Sequence, residues 1–349
     1  MIDTKKILLV AAALAGLVAL GGCVRSYARW PALQFRELPY TSLEGKRWPH
    51  HYITLGRTLK MARPIRVSYV EMNPRGERAV VFIHGLGSYL KFWRYQLDTF
   101  ARKGYRVIAL DLPGYGKSDK PASFPYTMEA MADVVRELCQ ALGVRRPVLV
   151  GHSMGGQTAL SYAIRYPDEL SGLVLASPAG FERFSPREQK WFEKVFSTTL
   201  IEDAGEYAIW GSVRYNNFYN WKPEYEWLVE ERVRIRGARD FDSYAYANVK
   251  SVHGLAHNDF VRRSLFGVNA PTLIIYGTKD RLIPNPFMHG GFTRRVMAYG
   301  DRNITDSRLV GLAGCGHTVQ MDCSERFNAE ALRFVAGIGE RKPSTTARR

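Results

Sequence analysis

Cysteine and histidine are scarce in this sequence: 349 residues contain four Cys and eight His. A chain this long can bury a sizeable core, so neither a disulfide nor a metal framework is needed for folding. Acidic residues are also short, with 33 Asp and Glu against 49 Lys and Arg, a formal net charge of +16. That surplus favours acidic surroundings such as anionic lipid, lipopolysaccharide or nucleic acid. No helix-turn-helix, zinc-finger or RNA-binding signature accompanies it, so nucleic acid is not an expected partner. Internal repeats are lacking. With 46% hydrophobic and 23% charged residues, the composition excludes a disordered, collagen-like or multi-span membrane chain.

One apolar run stands out. Lys5 and Lys6 precede residues 7–20, which carry no charge and end in Leu20-Gly21-Gly22-Cys23. A positive start followed by an apolar stretch of that length describes an export signal. The ending resembles the lipobox of bacterial lipoproteins, in which the signal is cut before the Cys and that residue is acylated. The expectation is a signal over 1–22 and a lipidated Cys23 that anchors the protein to a membrane facing the periplasm. An uncleaved anchor is the competing reading, because the apolar stretch reaches Val24 and approaches the roughly 18-residue span minimum. Val24 in place of Asp after the Cys leans toward the outer membrane. Residues 23–50, with Trp30, Pro31, Pro39, Trp48 and Pro49 and no clear period, read as a tether. Residues 341–349 form a basic tail.

Beyond the tether, apolar runs with strand character (52–55, 65–71, 79–83, 105–110, 147–150, 173–176, 271–276 and 308–312) alternate with helical patterns at 95–103, 128–142, 155–166 and 323–338. This alternation predicts an α/β fold, a mostly parallel eight-stranded sheet flanked by helices. It spans two core parts, 51–180 and 267–340. Between them, residues 181–266 contain 18 of the 43 aromatic residues. A connection that long should have structure of its own, and it reads as a helical lid over the carboxyl edge of the sheet. Cys139 falls in a helical pattern as a buried thiol, whereas Cys315 and Cys323, eight residues apart, are open to pairing after export.

Chemistry concentrates at strand ends. Gly151-His152-Ser153-Met154-Gly155 follows one strand and opens a helix, the context in which G-x-S-x-G forms a strained turn presenting a nucleophilic serine. The serine needs a base, expected late in the chain with an acid before it. His317, in Gly314-Cys315-Gly316-His317, and Asp280, in Gly277-Thr278-Lys279-Asp280, occupy those places. For an oxyanion hole the backbone N–H groups of Met154 and Leu86 are the candidates, the latter in His84-Gly85-Leu86-Gly87. His84 and His152 read as structural. His253 and His257 lack a third ligand, so neither a metal nor any other cofactor is expected.

These segments, with Asp111-Leu112-Pro113-Gly114-Tyr115-Gly116-Lys117-Ser118-Asp119, resemble the α/β-hydrolase fold family from about residue 65 to 338. The resemblance implies a Ser153–His317–Asp280 triad and a structural Asp111. Dehalogenases and epoxide hydrolases of that family carry an aspartate where Ser153 stands. The Gly-His-Ser-Met-Gly-Gly elbow and Ser177-Pro178-Ala179-Gly180 resemble monoacylglycerol-lipase-like esterases and small lipases, and also the C–C bond hydrolases that open meta-cleavage products. The leading expectation is a serine esterase acting on apolar or lipid-like acyl esters. C–C hydrolysis is the alternative, disfavoured by export because its substrates arise in the cytoplasm. A catalytically silent envelope binding protein is the reading from another class. The oligomeric state is not legible.

Overall fold

The computed structural model describes residues 26–56 and 63–338. Cys23, the segment 1–22 and the tail 341–349 lie outside them. Eight strands form one sheet: β1 (His50–Leu55), β2 (Ile65–Met72), β3 (Ala79–Ile83), β4 (Arg106–Leu110), β5 (Val148–His152), β6 (Gly172–Ala176), β7 (Thr272–Gly277) and β8 (Ser307–Leu312). Their spatial order is β1-β2-β4-β3-β5-β6-β7-β8. The pairings of β1 with β2 and of β2 with β4 are antiparallel, and all others are parallel. The continuous apolar runs fill the centre: every residue of β3, β5, β6 and β7 is buried, as a sheet covered on both faces requires. The edge strands β1 and β8 are only partly covered.

Helices α1 (Leu97–Arg102), α2 (Met128–Ala141) and α3 (Met154–Arg165) belong to the first core part. Thr127 caps α2 by accepting the Ala130 N–H at 3.2 Å, which satisfies one of the free donors of the first turn. Residues 181–266 contain α4 (Pro186–Val195), α5 (Thr198–Glu202), α6 (Glu206–Gly211), α7 (Trp227–Arg234), α8 (Phe241–Ala256) and α9 (Asp259–Arg263). The second core part adds α10 (Thr293–Asn303), α11 (Val319–Asp322) and α12 (Ser324–Ala336). Helix α10 is not among the expected elements. Its stripe reduces to buried Thr293, Met297 and Gly300 in a polar segment, too sparse a signal to read as a period.

Most aromatics of the insertion hold it together and to the core. Phe218 stacks on Tyr225 with ring centroids 4.7 Å apart, and Trp221 meets Phe218 edge-on at 5.3 Å. A buried ion pair adds to this attachment. Glu231 of α7 accepts from Lys91 and from the Tyr89 hydroxyl, and the Lys91 ammonium lies 4.2 Å from the Trp227 ring centre. With side-chain exposures of 4% and 5%, neither charge is left without a partner.

The segment expected as a tether packs on the domain from Ser26 onward. Tyr27, Phe35, Leu38, Tyr40 and Trp48 are buried, and Glu206 of α6 accepts from Ser26 Oγ at 3.0 Å and from the Tyr27 N–H at 2.6 Å. Single aromatic anchors without helix or strand period seal this segment, so its sequence carries no sign of burial. Tyr40 also reaches Asp111. The Asp111 carboxylate, fully buried, accepts from Tyr40 at 2.5 Å, Ser68 at 2.7 Å and the N–H groups of Leu90 and Lys117 at 2.9 Å each. It thereby joins the N-terminal segment, β2, the loop after β3 and the turn after β4. Asp111→Ala is expected to lower the unfolding free energy by about 3 kcal/mol or more, since several buried donors lose their acceptor together. Urea denaturation followed by circular dichroism checks it, and a loss under about 1 kcal/mol would contradict the hub role.

Candidate active site

Ser153 stands between the last residue of β5 and the first of α3, with φ +51° and ψ −112°. Its positive φ is held by its surroundings. The Ser153 N–H donates to Ala176 O at 3.0 Å, while Ser153 O accepts from Gly156, Gln157 and Ala179 N–H groups at 2.9, 3.2 and 3.0 Å. The glycines of the elbow are required by space. A Cβ at Gly151 would lie 2.3 Å from Gly155 O, and one at Gly155 would lie 2.2 Å from Ile83 O. Strand, helix and neighbouring strand end therefore touch through backbone alone.

His317 follows β8 and Asp280 follows β7, as their motifs suggest. The His317 Nδ1–H donates to Asp280 Oδ2 at 2.8 Å, with side-chain exposures of 4% and 0%. Asp280 Oδ1 accepts from the Leu282 and Ile283 N–H groups at 2.8 and 3.0 Å. Both carboxylate oxygens are thus engaged, and the imidazole keeps Nε2 free of the proton that Asp280 holds at Nδ1. Ser153 and His317 line one cavity of about 420 Å³. Leu86 lines it too, and Met154 opens α3 directly after Ser153. Neither the Leu86 nor the Met154 N–H donates to an acceptor among the described residues. Two such donors beside a serine can stabilise an oxyanion.

The remaining histidines take supporting places. His84 is fully buried, its Nδ1 2.8 Å from Gly85 O and its Nε2 accepting the Leu112 N–H at 3.0 Å. Burial pushes its pKa down. His152 braces the histidine loop through its Nε2–H, which donates to the His317 carbonyl at 3.2 Å. Burial first, and then the adjacent His317, hold His152 well below its ordinary pKa, so it stays a neutral imidazole. Among the described residues no group of three or more His, Cys, Asp or Glu side chains is arranged to hold a metal. His257 instead meets Glu193 at 3.1 Å.

Several residues of the site carry no signal in the sequence. Asp322, in α11, accepts from the N–H groups of Gly316, Tyr219 and Asn220 at 2.6, 2.8 and 3.0 Å. It ties the His317 loop to the insertion. Arg232 of α7 lines the cavity and donates to Gly87 O, with no carboxylate within ion-pair distance among the described residues. Gln157 of α3 lines it as well. The other walls are largely apolar, with Phe184, Phe192, Phe196, Val252 and Leu255 from the insertion. Asp322, Arg232 and Gln157 owe their places to partners distant in sequence or to packing around a cavity, and no local motif marks them.

Cys315 and Cys323 form a disulfide whose loop encloses His317. Cys139 is a free buried thiol, and burial pushes its pKa up to about 12.

The class follows from this architecture. The chain belongs to the α/β-hydrolase fold family, which it matches over residues 78–323, and it is a hydrolase. It is 30% identical to a 2-hydroxy-6-oxononadienedioate/2-hydroxy-6-oxononatrienedioate hydrolase of Burkholderia vietnamiensis, over 78% of this chain and 91% of that protein. Among solved structures it is similar to a probable hydrolytic enzyme from Pseudomonas aeruginosa PAO1, with TM-score 0.76 and 25% identity over 89% of this chain and 99% of that one. It also shares its fold with a thermophilic esterase from Thermogutta terrifontis, with TM-score 0.68 and 23% identity over 82% and 99% of the two chains.

Because the disulfide closes the loop bearing His317, reduction or Cys323→Ser is expected to lower Ser153-dependent turnover by about tenfold or more, the scale of a small misplacement of a reacting group. Thiol titration alongside the rate provides the check. Two newly titratable thiols with an unchanged rate would reject the bracing role.

Proposed function

We propose that the protein hydrolyses carboxylic esters with apolar acyl groups through an acyl-enzyme on Ser153. The observation that carries this reading is a largely apolar cavity of about 420 Å³ onto which Ser153 and the Asp280-paired His317 both open. His317 Nε2 takes the Oγ proton as Ser153 attacks the ester carbonyl, and Asp280 stabilises the imidazolium that results. The Leu86 and Met154 N–H groups receive the negative oxygen of the tetrahedral intermediate. Its collapse breaks the ester bond, and the imidazolium proton leaves with the alcohol. Water, deprotonated by His317, then adds to the acyl carbon and releases the acid. Phe184, Phe192, Phe196, Val252 and Leu255 favour an acyl chain over a charged group.

A second reading, hydrolysis of a C–C bond next to a ketone, is supported about equally. The Burkholderia vietnamiensis relative is named for a dienedioate substrate, and Arg232 offers beside Gly87 a guanidinium that has no acidic partner among the described residues. A carboxylate of such a substrate would pair with it. The two readings separate on a p-nitrophenyl ester series from acetate to palmitate, run with the full chain and with Ser153→Ala. The expected result is a rate optimum at one chain length that vanishes in the variant. No Ser153-dependent ester turnover, together with cleavage of a 2-hydroxy-6-oxodienoate that Arg232→Leu abolishes, would transfer the assignment to C–C hydrolysis.

The sequence around Cys23 supports a location on a membrane, reached through a lipidated cysteine and facing the periplasm, with the outer membrane favoured. Ser26, three residues further on, is bonded to Glu206 of α6, so the anchor would hold the insertion side of the enzyme close to lipid and its esters. Among the described residues no helix is long and apolar enough to cross a membrane. Cys23→Ala is expected to move the protein from the membrane pellet to the soluble fraction and to abolish palmitate incorporation. Unchanged labelling and sedimentation would contradict the anchor.

A further inference from the structure

Two cavity-lining side chains carry buried polar atoms without a hydrogen-bond partner among the described residues: His152 through Nδ1, and Gln157 through both Oε1 and Nε2. Gln157 is the stronger case, because its whole functional group is unsatisfied. It lies on α3 four residues after Ser153, on the same side of the helix, and is 1% exposed. Its backbone N–H is committed to Ser153 O, but the amide is not used by the fold. Gly180, with φ +102°, seats its backbone against the Gln157 stem, where a Cβ would come within 3.1 Å of Cγ. The stem is thereby confined, and Gln157 is one of the residues that line the cavity.

Burying an unpaired amide is unfavourable, and native structures contain few such groups. An apolar residue at this position would fill the same space without that cost. The structure therefore assigns Gln157, we propose, as a subsite for a neutral group of the substrate that both donates and accepts hydrogen bonds, most simply a hydroxyl. The chemistry of the amide sets this class. Nε2 donates and Oε1 accepts, and one hydroxyl can satisfy either or both. A carboxylate would satisfy only the donor and an ammonium only the acceptor. The substrate is then a hydroxylated ester whose apolar part lies along the aromatic wall of the insertion and whose hydroxyl meets Gln157. This assignment rests on the ester-hydrolase reading above.

The test compares methyl butanoate with methyl 3-hydroxybutanoate and 2-hydroxyethyl butanoate by pH-stat, using the full chain and Gln157→Leu. The first hydroxylated ester probes the acyl side and the second the alcohol side. Wild-type enzyme is expected to favour one of them over methyl butanoate in kcat/KM by about 10- to 100-fold, the range set by one well-placed hydrogen bond against an unpaired buried group. Gln157→Leu is expected to bring that ratio close to one. An equal ratio in the two proteins, or no preference in wild type, would overturn the subsite and leave Gln157 with an ordered water. Should Gln157→Leu fail to fold, the same ratio in Gln157→Met decides. Should no ester be turned over, the ester reading fails first, and calorimetric titration of the Ser153→Ala protein with the three compounds still decides whether Gln157 selects a hydroxyl.

Discussion

The site depends on one close contact: the backbones of β5, α3 and the end of β3 meet with no side chain between them. Gly151, Gly155 and Ile83 share a space in which a single added methyl would fall within 2.3 Å of a carbonyl oxygen. That approach forces the sharp turn at Ser153, and the turn holds the serine at φ +51°. Four hydrogen bonds to the Ser153 backbone, counting the one its N–H gives to Ala176, stabilise a conformation that an isolated serine would leave. The same contact brings the first N–H of α3 and the loop after β3 to one point, which is where an oxyanion can be held.

A second backbone contact serves the histidine. A Cβ at Gly277 would lie 2.1 Å from Gly316 O, so the end of β7 and the His317 loop nest as closely as the elbow does. Asp280 then needs only a short turn to reach His317. The Asp322 carboxylate and the Cys315–Cys323 disulfide close the loop from its other side. Because Asp322 also binds the backbone of Tyr219 and Asn220, the insertion and the histidine loop are one hydrogen-bonded unit.

The insertion gives the cavity two chemical characters. Its aromatic and aliphatic side chains supply an apolar wall, while Arg232, together with Gln157 from the core, adds polar residues to the lining. Such a mixture suits a substrate with one apolar and one polar part better than a simple hydrocarbon ester. The buried Lys91–Glu231 pair fixes the orientation of α7 that makes this possible. With Glu231 turned inward to Lys91 and Tyr89, the next residue, Arg232, lies on the cavity.

Much of this molecule is legible in its order of residues. The buried strands are, because a parallel sheet covered on both faces demands unbroken apolar runs, as at residues 79–83 and 148–150. Ser153, Asp280 and His317 are, because each sits in a short glycine-containing turn at a strand end, where local conformation and chemistry coincide. The N-terminal segment is not: Tyr27, Phe35 and Tyr40 bury themselves one at a time against distant elements, leaving no period to read. Asp322, Arg232 and Gln157 are equally silent, since an aspartate, an arginine and a glutamine in helices look solvated until a tertiary neighbour claims or confines them. Sequence by itself determined the local turns and which strands would be buried. Only the folded chain decided which polar side chains would face a cavity without a partner, because that depends on what surrounds them in space.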